Sequence, residues 1–142
     1  MKLSDVIIEA EYADILITLL NKPYSISSIT KLIFISFCIK HEKNTKAYNN
    51  RTKDFVDVFF KNISIKLPAN YQEIEKIINI IDMLKITDKI KTDGDYIYLI
   101  TDLEHTTENE FLKYCNQKKI NPILEINKLD AKAMIEEVIR YV

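Results

Sequence analysis

The sequence predicts a mainly α-helical fold with one small β-hairpin. Three observations predict it. The stretch NYQEIEKIINIIDMLKITDKIKTDGDYIYLITD (70–102) opens with Ile74, Ile77, Ile78, Ile81 and Leu84 at helical spacing. Two short alternating runs follow, on either side of Gly94, the only glycine in the chain. Apolar residues recur with a helical period through most of the remainder. A helix that runs into a tight hairpin is the last part of a winged helix-turn-helix unit. The predicted fold is therefore a winged-helix-like domain with extra C-terminal helices: one domain over 1–142, in which 103–142 is a helical extension. With 142 residues, 47% of them hydrophobic, the chain is long enough to bury a core without staples.

The first helix is expected over Ser4–Leu20, capped by Ser4, with Ile8, Tyr12, Ile15, Leu16 and Leu19 as its apolar stripe. Pro23 ends it. A second helix is expected over Ser27–His41, capped by Ser25 or Ser27. It is apolar nearly all round, which fits either a central buried helix or a helix in a partner interface. A third helix is expected over Thr52–Asn62, with Phe55, Val56, Phe59 and Phe60 on one face. Ile63–Leu67 alternates Ile-Ser-Ile-Lys-Leu up to Pro68, the pattern of a short edge strand or an extended linker.

The fourth helix, Asn70–Ile86, carries the strongest pattern. Asn70 and Glu73 have capping-box spacing. Ile78 falls in the apolar stripe, so Ile78→Asp should unfold the domain. Asp88–Ile90 and Tyr96–Ile100 are the hairpin strands, with Gly94 supplying the positive φ of the turn. Tyr96 and Tyr98 share one strand face. Asp93 and Asp95 make the tip acidic, which argues against contact with a phosphate backbone. A fifth helix over Thr107–Asn116, capped by Thr106 or Thr107, a break at Pro122 and a last helix over Leu129–Tyr141 complete the chain.

Composition excludes several functions. Net charge is −1, so no global basic field drives nucleic-acid binding. A single glycine leaves no phosphate-cradling loop and no dinucleotide fingerprint, which both need several. No run approaches the ~18 apolar residues of a membrane span, and acids near the start oppose an export signal. The expected location is the cytoplasm, with Cys38 and Cys115 reduced.

Cys38, His41, His105 and Cys115 are the residue types of a zinc site, and Cys38-x-x-His41 has a usable spacing. His105 and Cys115 do not, and Cys38 lies on an apolar helix, so no metal is expected. With two histidines and no nucleophile motif around either, no enzymatic activity and no cofactor are expected. The candidate contact residues lie in the polar, locally basic stretch Lys40–Lys53: Lys40, Lys43, Lys46, Tyr48, Arg51 and Lys53. That stretch reads either as a solvated loop or as a contact for phosphate or an acidic protein surface.

The order NKPYSISSITKLIFISFCIKHEKNTKAYNNRTKDFVDVFF, EIEKIINIIDMLKITDKI, DGDYIYLI resembles the middle component of bacterial ABC three-component (Lamassu-like) anti-phage defence systems. The resemblance rests on Lys40-His41, Arg51-Thr52, Phe55–Phe60 and Ile74–Ile100, and covers roughly Glu11–Thr101. It implies a non-catalytic adaptor subunit that bridges an SMC/Rad50-like ABC ATPase and an effector, often a nuclease. The alternative is a winged-helix DNA-binding transcriptional regulator. That reading asks for outward Arg and Lys on the third or fourth helix.

Overall fold

The computed structural model describes residues 2–43, 45–48 and 55–141. Among them are α1 (Leu3–Leu20), α2 (Ile29–His41), a 3-10 turn (Thr45–Tyr48), α3 (Phe55–Asn70), α4 (Gln72–Ile86), β1 (Ile90–Asp93), β2 (Tyr96–Leu99), α5 (Glu110–Gln117), α6 (Pro122–Ile126) and α7 (Ala131–Tyr141). The fold is mainly helical with one antiparallel two-strand hairpin, as the sequence predicts.

Helix α2 is the centre. Leu32 and the run Ile35–Ile39 are buried, and α1, α3, α4 and α7 all pack on it. Its all-round apolar pattern therefore belongs to the core. The C-terminal helices close the same cluster through Phe111, Leu112, Cys115, Ile123, Ile126, Met134 and Val138.

The hairpin tip locks the start of α2. A helix begins with unbonded N–H groups, and here three of them are satisfied in sequence. Ile29 N–H donates to the Asp95 carbonyl (2.8 Å), Thr30 N–H to Asp95 Oδ1 (2.8 Å) and Lys31 N–H to Ser28 Oγ (3.2 Å). The hydroxyls of Thr30 (2.8 Å) and Ser28 also donate to the Asp95 carboxylate. Burial pushes that carboxyl up, but the bonds from Ser28 and Thr30 outweigh it and hold Asp95 below the ordinary range. Ile97 N–H donates to the Ser27 carbonyl (2.9 Å), and Ser28 forms a single antiparallel bridge with Tyr96, so the segment before α2 is tied to β2 at one point. The cap is thus Ser28, not Ser25 or Ser27. An Asp95→Ala variant should lose about 1–2 kcal/mol in chemical denaturation, the scale of a lost helix cap, because it removes the side-chain acceptor at the start of α2. An unchanged denaturation midpoint would show that the Asp95 carbonyl and Ser28 suffice.

Several expected boundaries are corrected. Ile63–Leu67 is neither strand nor linker: α3 continues through it to Asn70, with Pro68 in its last turn. The alternation that suggests a strand also places Ile63 and Leu67 one helical turn apart. Ile63 is buried and Leu67 packs on the core, while Ile65 is left 68% exposed. Asn70 does not cap α4. Its Nδ2 donates to the Lys66 carbonyl (2.8 Å) at the end of α3. Tyr71 alone, in αR conformation, separates the two helices.

Glu73 forms no capping box, because it is buried. Its burial turns α4 so that Glu73, Ile77, Ile80 and Ile81 face inward and Ile78 is 42% exposed. The expectation that Ile78→Asp unfolds the domain is therefore overturned.

In the hairpin, Asp88 has φ +60 and the strand begins only at Ile90. The register pairs Ile90 with Leu99 and Asp93 with Tyr96, and Gly94 has φ +58 in the turn. Tyr96 and Tyr98 lie outward on one face with ring centroids 5.4 Å apart, as expected. Lys2, not Ser4, precedes α1, with no side-chain cap. Asn109, not Thr106 or Thr107, caps α5. The buried Thr107 accepts the Asn109 N–H instead (3.0 Å). Pro122 starts α6 behind the Asn121 cap rather than only breaking the chain. Asp130 Oδ1 accepts from Ala133 N–H (2.7 Å) and sets the start of α7.

Candidate functional site

The predicted contact residues are dispersed by the fold. Lys40 sits in the last turn of α2, mostly buried, with its ammonium 2.8 Å from Glu11 Oε2. Lys43 and Lys46 are exposed. Arg51 and Lys53 lie outside the described residues, as does Thr52, where the third helix is expected to begin. Tyr48 is corrected: it is a core residue. The 3-10 turn carries its ring inward between Phe55 (5.9 Å between centroids) and Phe111 (5.0 Å), and its hydroxyl donates to Glu42 Oε2 (2.6 Å). Burial, with Glu42 adding to it, holds that phenol protonated far above its ordinary range. Asn62 Nδ2 also donates to Glu42 Oε2 (3.1 Å), so Glu42 ties the turn to α3.

The surroundings of Lys43 are acidic. A cleft of 460 Å³ is lined by Lys43 together with Glu11, Asp14, Glu42, Glu108 and Glu110, and by Phe111 at its apolar wall. The described part of the stretch is therefore not a basic field. Lysines beside this many carboxylates contribute little attraction for a phosphate backbone.

Of the four residues of the candidate zinc site, the two histidines are each engaged by a carboxylate and the two cysteines are buried. Cys38 is wholly buried, and burial pushes its thiol well up. Cys115 is buried on α5 and is pushed up to about 12 by burial. His105 Nε2 is 2.6 Å from Asp14 Oδ1. His41 Nε2 is 3.0 Å from Glu73 Oε1. Among the described residues no group of three metal-ligating side chains is assembled.

That last contact belongs to a buried network which sequence reasoning missed. Tyr12 Oη on α1 donates to Glu73 Oε1 on α4 (2.5 Å), and His41 at the end of α2 meets the same oxygen. The Phe37 ring lies tilted against the His41 ring, with centroids 4.6 Å apart. One carboxylate thus joins three helices. Burial holds His41 below its ordinary value, against the pull of Glu73. Burial, reinforced by Glu73, keeps Tyr12 protonated far above its usual range. Glu73 falls one turn before Ile77, on the face that turns inward. That spacing is the signal available in the sequence, and it is masked by the capping-box pattern.

Among the apolar side chains that the core leaves exposed are several on α4 and the hairpin. Ile78, Met83 and Ile86 (80%) are exposed on α4, and Tyr96, Tyr98 and Ile100 on and beyond β2. Glu75, Asp82 and Lys85 are the exposed charges beside them on α4, and Lys76 is tied to Asp5 of α1 (3.2 Å). A face of this composition suits a protein surface better than a polyanion.

No match is found among protein-family models, curated proteins or solved structures. Among the described residues no helix is long and apolar enough to cross a membrane.

Proposed function

We propose that the chain is a non-catalytic adaptor subunit of a bacterial anti-phage defence complex. It bridges an SMC-like ABC ATPase and an effector such as a nuclease, in the cytoplasm and without a cofactor. The resemblance to the middle component of ABC three-component systems supplies the identity of the partners. The observation that carries the protein-binding part is the outer face of α4 with the hairpin. Ile78, Met83, Ile86, Tyr96 and Tyr98 stand exposed there beside Glu75 and Asp82.

The winged-helix-like reading of the fold belongs to the same proposal. Helix α4 leads directly into the hairpin, and the Ser27–Ser28 segment is tied to β2 at one point, in the place of a third wing strand. In a DNA-reading member α4 would be the helix presented to the groove. Carboxylates and isoleucines on its outer face oppose that use, and this weighs against the transcriptional-regulator alternative.

The test is purification of the tagged full chain from its native host, with the associated proteins identified by mass spectrometry. A large coiled-coil protein with ABC ATPase heads is expected. Recovery of DNA without such a protein would overturn the adaptor reading in favour of the regulator.

A further inference from the structure

A cleft of about 340 Å³ lies between the turn after α1, the segment that leads into α5, and α5 itself. Its lining is the chemical opposite of the acidic cleft around Lys43. Lys22, His105, Thr107, Lys113 and Asn116 contribute to it, and among the described residues no carboxylate does. Lys22 is exposed and has no ion-pair partner among the described residues. Lys113 and Asn116 are three residues apart on α5 and share one face. Lys113 is only loosely engaged, 3.5 Å from Glu108 and 3.6 Å from Glu110, both largely exposed.

The hydrogen bonds behind the lining fix its polarity. Asn121 Oδ1 accepts from Ile123 N–H (2.9 Å) as the cap of α6. Its Nδ2 is therefore the group that donates to the Tyr24 hydroxyl (2.9 Å). Tyr24 must then donate elsewhere, and it does so to Asn116 Oδ1 (2.5 Å). Burial pushes this phenol up to about 12, so it keeps the proton for that bond. The Asn116 oxygen is thereby engaged by Tyr24, and its amino group is what remains for a ligand. The buried Thr107 hydroxyl accepts from Asn109 N–H (3.0 Å), and its own proton has no acceptor among the described residues. Asp14 holds His105 through Nε2 (2.6 Å) and is itself fixed by Glu108 N–H (2.9 Å), which leaves Nδ1 as the ring nitrogen still open.

Two ammonium groups, an amide N–H₂ and a buried O–H thus line one cleft, with no carboxylate to oppose them. Charge-assisted donors of this kind suit a tetrahedral oxyanion. The volume falls within the roughly 300–1,000 Å³ of small-molecule sites and exceeds what a bare phosphate fills. We infer that the cleft between α1 and α5 binds a small phosphate monoester, whose phosphate oxygens accept from Lys22, Lys113, Asn116 Nδ2 and Thr107 Oγ1. The inference is independent of the adaptor reading, which rests on the outer face of α4.

Isothermal titration calorimetry of the full chain tests it, with glycerol 3-phosphate, inorganic phosphate and glycerol as probes at constant ionic strength. Glycerol 3-phosphate is expected to saturate one site with a Kd of about 1 mM or tighter, inorganic phosphate to bind more weakly at the same site, and glycerol not to bind. Lys22→Ala and Lys113→Ala should each weaken binding about fivefold, the scale of an exposed ion pair. Asn116→Asp keeps the acceptor for Tyr24 but replaces the amino group with an anionic oxygen. It should cost more than about tenfold in affinity while the circular-dichroism melt stays that of the parent. The chain has two histidines, so nuclear magnetic resonance gives an independent readout: the ring signals of His105 should move during the titration and those of the distant, buried-network His41 should not. No saturable binding of either phosphate, an Asn116→Asp variant with parental affinity, or movement of His41 in place of His105 would each overturn the inference. Tighter binding of inorganic phosphate than of glycerol 3-phosphate would overturn the assignment to a monoester.

Discussion

An Ile77→Asp variant is expected to lose cooperative folding, while Ile78→Asp melts like the parent protein. The two positions are adjacent in the same isoleucine-rich helix, and local propensity treats them alike. They differ in facing: Ile77 is fully buried on α4, which packs on α1 and α2, and Ile78 is exposed. An aspartate at 77 would be an unpaired carboxylate inside an apolar core. That costs more than about 4 kcal/mol, a large share of the roughly 5–15 kcal/mol that holds a domain of ordinary stability. An aspartate at 78 stays in water and should change stability by no more than about 0.5 kcal/mol. Circular-dichroism melts of the two variants, side by side, check the prediction. Equal melting curves, or a destabilised Ile78→Asp, would mean that α4 is rotated from the position described.

The second large effect is at Glu73. Glu73→Ala removes the acceptor shared by the Tyr12 hydroxyl and the His41 ring. Both are left buried without that partner, which costs about 2–4 kcal/mol. For a chain of this length the melting temperature should fall by roughly 5–15 °C. Tyr12→Phe removes one of the two orphaned groups in advance. The double variant should therefore lose less than the sum of the single losses, a coupling that a double-mutant cycle reads directly. Strict additivity would contradict the network.

The same network sets a pH dependence. His41 is held below its ordinary value, chiefly by burial, so the unfolded chain takes up that proton first. Its contribution to stability is complete above the unfolded value, about 6.5, and shrinks as pH falls below it. A His41→Gln variant keeps a donor toward Glu73 and should flatten this upper part of the acid limb. Parallel limbs for parent and variant would remove His41 as the cause.

These two variants also mark the limit of what was legible in the sequence. The hairpin was legible because Gly94 between alternating runs has few other solutions. Helix α2 was legible as a helix, and its all-round apolar pattern pointed to the centre or to an interface. Only the packing of α1, α3, α4 and α7 around it decides between the two. Ile63–Leu67 misled because an alternating pentapeptide also satisfies an i, i+4 helical contact. The face of α4 misled because isoleucines at 74, 77, 78, 80 and 81 cover more of the circumference than the core can take. The choice of centre falls to Glu73, whose partners come from positions 12 and 41. Tyr48 misled for a similar reason. A tyrosine in a polar stretch looks like a surface residue until Phe55, Phe111 and Glu42 close around it. Long-range partners of this kind leave no mark in local spacing.

The measurement that tests the adaptor proposal most directly is capture of the ABC ATPase by two forms of the tagged chain, the parent and an Ile78→Asp, Ile86→Asp double variant. Both side chains are exposed, so the variant is expected to keep the parent's melting temperature. The proposal predicts that the parent retains the ATPase and that the variant loses most of it. Equal recovery by the two forms, at equal melting temperature, would contradict the assignment of the outer face of α4 as the partner surface.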